Sequence, residues 1–412
     1  MNLTPVQEPN VHSLAVVEYL LPWRDRLANT FGTVHGNASL KLIDVVIVML
    51  AGFYNPLVRS QRLLDALSSQ QWIQEKTGLS RIPRSTLSDA FKRFNPEALR
   101  PLIRELSLRV PALGQQDADL AGISRAILAA DGSYFTLAGE VAWALLNRTG
   151  SKTCSKVRWN LQLDTATWLP VDGDVSGKGD GNEARAFQRR IQRGVIYLVD
   201  RNFVNFGFIQ AVLDADSNLV LRLKKNVGFS VQGTRPLAAR DQELGILSDE
   251  VGVLSGPVSQ SNEGRPSRTA KVPTQVLRRV TVYDPVKREN VALLTDMLDV
   301  PAYVIALLYR RRWQIELFFR WFKCWAGMDH LLAKNPAGIT LQFYVAVIAT
   351  LLLYIATGRR VSKYALFWLG SVASGLATFE EMQAGLARIE REKTLERARR
   401  ARKKLMAPAL PA

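Results

Sequence analysis

YRRRWQIELFFRWFK, residues 309–323, carries five cations and one acid, Glu316, in a stretch otherwise half aromatic and apolar. Placed on one helix at 3.6 residues per turn, Tyr309, Arg312, Glu316, Arg320 and Lys323 fall on a narrow strip, spaced by three or four residues. Leu308, Ile315, Phe319 and Phe322 flank it on one side, and Trp313, Leu317 and Trp321 on the other. A charged strip between such walls cannot all face water, and a buried ion is costly unless it is matched. One glutamate cannot neutralise three cations. The strip therefore calls for an anionic guest, which a nucleic-acid phosphate would supply. It leaves Glu316 for a task cations cannot do, such as holding a divalent metal. The spacing also fits two ion pairs on a half-exposed face, Arg312 with Glu316 and Glu316 with Arg320, and periodicity does not choose between the two.

The rest of the chain narrows the context. Its 412 residues suggest two or three domains, and 47% apolar content is enough for a substantial core. Cys154 and Cys324 are too few and too far apart for a disulfide framework or a thiolate zinc site, which fits a reducing, cytosolic setting. The start, MNLTPVQEPNVHSLAVV, lacks the pattern of a signal peptide. The most apolar run, Leu341 to Gly358, reads as a buried core helix rather than a membrane span, because no second such run exists. A formal charge of +17 favours a polyanionic partner, most commonly nucleic acid, although a generally basic soluble protein would also show it.

Apolar spacing predicts helices in VHSLAVVEYLLPWRDRLANTF and LKLIDVVIVMLAGFYN. In SRIPRSTLSDAFKRFNPEALRPLIRELSLRV it predicts two more, with Ser85 capping the first and Pro96 in the first turn of the second. This basic segment, with Arg81, Arg84, Lys92 and Arg93, reads either as a helix-turn-helix DNA reader or as a solvated face of an ordinary bundle. From about Ile123 the runs become strand-like: SRAILAADGSYFTL, EVAWALL, KVRWNLQLDTATWLPV and GVIYLVDRNF. Helices are predicted in GNEARAFQRRIQRG, with Asn182 as cap, and from Phe206 to Asp216, followed by the strand LVLRLKKN. Strands followed by alternating strand and helix indicate a mixed sheet with helices packed on it. Residues 226–275 interrupt the pattern as a loop-rich insertion with short strands. The core resumes with QVLRRVTVYDP and ENVALLTD, and the remainder is helical. The tail from Arg388 to Lys404, nine cations against three acids, is either a DNA- or partner-contacting helix or a frayed basic end.

Two further acids sit where packing does not call for them. Asp131 closes the strand-like AILAAD and Asp200 closes GVIYLVD. Strand ends are where sites form in open sheets, although an Asp there can also simply start a turn. Together with Glu316 they can make a three-carboxylate cluster suited to Mg²⁺ or Mn²⁺, and two such ions can drive phosphoryl transfer. His12, His35 and His330 are too scattered for a histidine-based site. No phosphate-cradling glycine motif is evident.

Tyr309, Arg312, Glu316 and Lys323 match, without a gap, the Tyr, two residues, Arg, three residues, Glu, six residues, Lys signature of the DDE transposases of bacterial insertion sequences, the IS-four group. LLTDMLDVPAYVIALLYRRRWQIELFFRWFK is similar to that group throughout, and ADGSYF and VDRNF resemble the segments carrying its first and second aspartates. The resemblance covers about residues 120–355. It implies an α/β fold with a ribonuclease-H-like mixed sheet, a strand-rich insertion and helical N- and C-terminal regions. The organisation would be a helical region at 1–120 that is a candidate DNA-end reader, a catalytic core at 121–225 and 276–360, an insertion at 226–275 and a basic helical region at 361–412. The resemblance further implies that Asp131, Asp200 and Glu316 bind two Mg²⁺ ions, with Mn²⁺ as substitute, and that Tyr309, Arg312 and Lys323 contact phosphates. Arg320 joins them only by its place on the strip. The expected partners are double-stranded DNA, both element ends and target, and a second copy of the chain, with no membrane and a cytoplasmic, nucleoid-associated location. An inactive DNA-binding repressor and a structure-specific nuclease on the same core are the alternatives.

Overall fold

The computed structural model describes residues 40–405 apart from 56, 111–117, 138–140, 150–151, 256–271, 325–327, 329, 358–361 and 374–375. The helix expected over residues 11–31 and most of the polar loop of the insertion fall outside the described residues. The chain divides into two compact units: Met1–Val110 with Lys323–Ala412, and Pro111–Phe322.

The first unit opens with α1 (Leu42–Tyr54), buried along almost its whole length, as a composition that is apolar but for Asp44 in the first turn requires. Next come α2 (Gln61–Ser68), capped by Ser60, and α3 (Gln71–Thr77), which ends at the left-handed Gly78 with φ 65°. Helix α4 (Arg84–Arg93) starts two residues earlier than expected. Its N-cap is Pro83, and Ser85 lies inside the first turn. The proline fixes the helical entry, and the Asp65 carboxylate from α2 accepts the Arg84 N–H at 3.1 Å, the role a capping side chain would have filled. Pro96 opens a short 3-10 turn, Pro96–Leu99, with Asn95 as its cap, before α5 (Arg100–Arg109).

The second unit is built on one ten-stranded mixed sheet: β1 (Ile127–Leu137), β2 (Leu145–Thr149), β3 (Lys152–Asp164), β4 (Leu169–Ser176), β5 (Ile196–Val199), β6 (Asn218–Arg222), β7 (Gly228–Thr234), β8 (Ile246–Ser255), β9 (Leu277–Asp284) and β10 (Glu289–Thr295). The spatial order is β2-β3-β1-β5-β6-β10-β9-β8-β7, with β4 also paired to β3. Strands β5 and β6 run parallel to β1, and the other pairings are antiparallel. The run EVAWALL forms a turn over Val141–Ala144 before its strand begins, closed by the bond from Ala144 N–H to Val141 O.

Alternation along the central strands builds a core on each face. Leu128, Tyr197, Val199, Leu219 and Leu221 meet α6 (Glu183–Gln188) and α7 (Phe206–Asp214) on one face. Ile127, Ile196, Leu198 and Val220 meet α9 (Ala302–Arg311) on the other. Helix α8 (Ala239–Glu243) lies between β7 and β8, and α10 (Trp313–Cys324) follows α9 directly.

Residues 309–323 are thus two helices, not one. Arg312 is the C-cap of α9, and tight bonds from Arg312 N–H to Tyr309 O and from Ile315 N–H to Arg312 O carry the chain round the break. The break still leaves Tyr309, Arg312 and Glu316 as neighbours, but Trp313 turns outward and is 46% exposed.

The remaining helices return to the first unit: α11 (Pro336–Thr357), α12 (Lys363–Ala373) and α13 (Phe379–Leu405). Helix α11 is long and apolar enough to cross a membrane, yet 94% of its most apolar window is buried. It is the core helix of its unit, held to α1 by the bond from Tyr54 Oη to Ala349 O. It touches α4 at Gly338, where a Cβ would stand 2.9 Å from that of Phe91. The basic tail is helical through Leu405.

Candidate active site

Parallel pairing of β1 with β5 ends at Ala129 opposite Leu198. Asp131 and Asp200 each follow by two residues, so the two acids stand at the same level on neighbouring segments. Asp131 does not close its strand as expected: β1 runs on to Leu137, because its pairing with β3 continues from Leu128 to Leu137. The chain does leave the sheet at Asp200, which caps the 3-10 turn Arg201–Phe203 and accepts the Asn202 N–H at 2.8 Å.

Alternation puts Asp131 on the α10 side of the sheet. That helix is fixed by an aromatic cluster. Trp159 of β3 lies 4.6 Å from Phe322, ring centre to ring centre, Trp168 lies 5.3 Å from Phe318, and Phe135 of β1 lies 6.1 Å from Phe322. Trp168 adopts a left-handed backbone (φ 60°) and donates its indole N–H to Gln314 O at 3.2 Å. Such contacts locate a helix tightly because the rings are large and nearly rigid.

With α10 so held, Glu316 pairs with Arg312, whose guanidinium also reaches Asp131 at 3.9 Å. The Arg312 side chain is only 12% exposed and lies over the Tyr309 ring, 5.7 Å from its centre. The charge problem posed by the sequence is therefore resolved in part within the chain. Arg312 is matched by two carboxylates, while Arg320 is exposed and needs no buried partner. Lys323 sits in the last turn of α10. Arg81, Arg84, Lys92 and Arg93 are exposed on the first unit, where Arg81 pairs with Asp65 at 2.8 Å and Lys92 with Asp89 at 3.5 Å.

One acid that sequence reasoning passed over belongs to this neighbourhood. Glu183, the first residue of α6, lays its Oε1 against Gly132, the residue next to Asp131. Arg158 of β3 lies beside it, bonded to Asn160 Oδ1 at 2.8 Å and to Gly181 O at 3.2 Å. The signal was available in ADG: a glycine inside a strand marks close approach. A Cβ on Gly132 would stand 2.2 Å from Glu183 Oε1 and 3.0 Å from Arg158 Cδ.

Crowding shows in the ionisation of these acids. Burial, then the Asp200 charge and to a lesser degree Glu316, push Asp131 up to about 6, against the pull of Arg312 and the Gly132 N–H. Burial, followed by Asp131 and Asp200, pushes Glu183 up to about 8 despite Arg158. Such a site gains by taking up a cation. Hard carboxylate oxygens suit Mg²⁺ or Mn²⁺, and the buried Glu183 Oε1 has no hydrogen-bond partner. Among the described residues, no three acidic, histidine or cysteine side chains are yet gathered tightly enough to hold an ion. The donor set fits such an ion, and side-chain rotation would have to bring the oxygens onto it.

A mixed sheet with two acids level on adjacent segments, and an arginine–glutamate pair laid over one of them, defines an α/β protein with a crowded acidic centre. Residues 123–352, more than half of the chain, match the transposase DDE domain, and the chain belongs to that family. It is 33% identical over 169 residues to "Putative transposase y4zB" of Sinorhizobium fredii, an alignment covering 40% of this chain and 44% of that protein. It is 43% identical over 228 residues to "Putative transposase for insertion sequence element IS4SA" of Synechocystis, covering 52% of this chain and 60% of that protein. The chain thus spans about half the length of these curated relatives.

Proposed function

We propose that this chain cuts DNA at the terminal inverted repeats of an insertion sequence and joins the freed 3′ ends to target DNA, with Asp131, Asp200 and Glu316 as the catalytic carboxylates. The observation that carries this reading is the equal level of Asp131 and Asp200 beside the Arg312–Glu316 pair. The strand run β4-β3-β1-β5-β6, antiparallel on one side of β1 and parallel on the other, supports a ribonuclease-H-like core. Strands β7 and β8 would then belong to the insertion at 226–275, which extends the sheet beyond β10 and β9.

Asp131, Asp200 and Glu316 would hold the divalent cation. When bound, Mg²⁺ or Mn²⁺ neutralises the phosphate and activates the attacking oxygen. The chain's own residues do the rest. Arg312 keeps Glu316 turned toward Asp131 and balances two negative charges, and Tyr309 supports the guanidinium from below. Arg320 and Lys323 contact the DNA backbone along α10, with Tyr309 and Arg312 near the scissile phosphate. Arg81, Arg84, Lys92 and Arg93 are the candidates for holding the element end. The working form is a homodimer on two DNA ends, acting in the cytoplasm at the nucleoid.

The test is incubation of the purified chain with DNA bearing the inverted repeats that flank its gene. Nicking at the repeat ends is expected only with Mg²⁺ or Mn²⁺. Asp131→Ala, Asp200→Ala and Glu316→Ala should each abolish it while leaving DNA binding intact. Cleavage at the wild-type rate by any of the three would overturn the assignment. Cutting of branched DNA without regard to the repeats would favour the nuclease alternative.

A further inference from the structure

We propose that Glu183 is a fourth metal-holding carboxylate of this centre, binding the same divalent cation as Asp131; the inference rests on the reading of Asp131 as a metal ligand. Glu183 comes from a different element, on the opposite face of the sheet from α10, yet its Oε1 lies against Gly132, the residue next to Asp131. Three features of the chain work to bring it there. Asn182 caps α6 by accepting the Arg185 N–H at 3.0 Å, which fixes Glu183 in the first helical position. Arg158, itself only 5% exposed, holds the preceding loop through Gly181 O and so sets where α6 begins. Gly132 leaves open the space that Glu183 Oε1 fills, since a Cβ would lie 2.2 Å from that oxygen.

A glutamate supported in this way would be expected to satisfy both oxygens if its role were only structural. Instead Oε1 is fully buried without a hydrogen-bond partner. Arg158, the adjacent cation, directs its Nε to Asn160 and an Nη to Gly181. A buried carboxylate oxygen left in that state is a costly arrangement, and coordination to a cation beside Asp131 satisfies it. On this inference, the acids gathered at the ion come from β1, the end of β5, α6 and α10, so the centre is supported from both faces of the sheet.

The test measures Mn²⁺ binding to the full-length chain without DNA, by electron paramagnetic resonance of the free ion, together with thermal unfolding of each variant. Glu183→Gln should weaken Mn²⁺ binding about tenfold or more and leave the melting temperature of the metal-free chain unchanged or higher, because the amide has the size of the carboxyl it replaces and brings no charge to a crowded site. Glu183→Asp, which keeps the charge but withdraws the oxygens, should fall between wild type and Glu183→Gln, and it serves as the readout if the latter does not fold. Wild-type Mn²⁺ affinity in a folded Glu183→Gln, with Asp131→Asn greatly weakened, would overturn the role of Glu183 alone. Wild-type affinity in Asp131→Asn as well would remove the metal reading on which the inference rests.

Discussion

At the scale of single residues, Arg312 is the hinge of the centre. It ends α9, lies over Tyr309, pairs with Glu316 and approaches Asp131. Its planar fork can serve two carboxylates at once, which the compact ammonium of lysine does less well. Arg312→Ala should therefore release Glu316 and reduce nicking on saturating DNA by about 100-fold, the usual penalty for displacing a reacting group by about 1 Å. Arg312→Lys should recover part of that loss. Single-turnover nicking rates check this, and equal rates for Arg312→Lys and wild type would show that charge alone is needed. The role of Arg312 toward its neighbours was half legible in sequence. Spacing joined it to Tyr309 and Glu316, but its approach to Asp131 depends on long-range packing of α10 by Trp159 and Trp168, which no local pattern encodes. Glu183 went unread for a similar reason. The first turn of a helix welcomes an acid on electrostatic grounds alone, so its identity carried no surprise until Gly132 was seen beneath it.

Elements were most legible where one interaction dominates. The uninterrupted apolar run of α11 could only be a buried or membrane helix, and burial decided it. The Asn182 cap was equally plain, because its side chain acts within three residues. Boundaries set by distant groups were not readable: α4 begins at Arg84 because Asp65 of another helix accepts its N–H. Helix α9 shows the same device. Its N-cap, Pro301, offers no side-chain acceptor. Asp241 of α8 instead accepts the Tyr303 N–H at 2.8 Å while its other oxygen accepts the Ala238 N–H at 2.9 Å. A buried acid at a helix N-terminus also meets the positive end of the dipole. Asp241→Ala should cost about 1–2 kcal/mol, the usual value of a cap, in urea unfolding. Asp241→Asn, which keeps one acceptor oxygen, should cost less. Equal stability of Asp241→Ala and wild type would mean that α9 is held by its apolar face alone.

At the scale of the molecule, the question is how strands β7 to β10 are joined to the strands that carry the acids. Composition pointed to a loop-rich insertion over residues 226–275, and two of these strands, β7 and β8, lie within that interval. They are not a loose appendage. Leu254, Leu277 and Leu294 share one core with Leu128 and Tyr197 of the central strands. Within the group, the Arg278–Asp249 pair links β9 to β8, with side chains 1% and 4% exposed and two bonds of 2.7 and 2.6 Å. Arg278 also donates to Met297 O and Val300 O, in the segment that leads into α9 and so toward Arg312 and Glu316. A buried pair of this kind contributes little net stability over an apolar replacement, but removing one partner strands the other. Asp249→Ala should therefore destabilise the chain by about 3–5 kcal/mol, whereas replacing Asp249 and Arg278 together by Leu and Met should recover most of that loss. Urea unfolding separates the two outcomes. If the double variant regains stability and still nicks poorly, the contacts of Arg278 with Met297 and Val300 set the approach of α9. If it regains both, the pair serves only to neutralise its own charges.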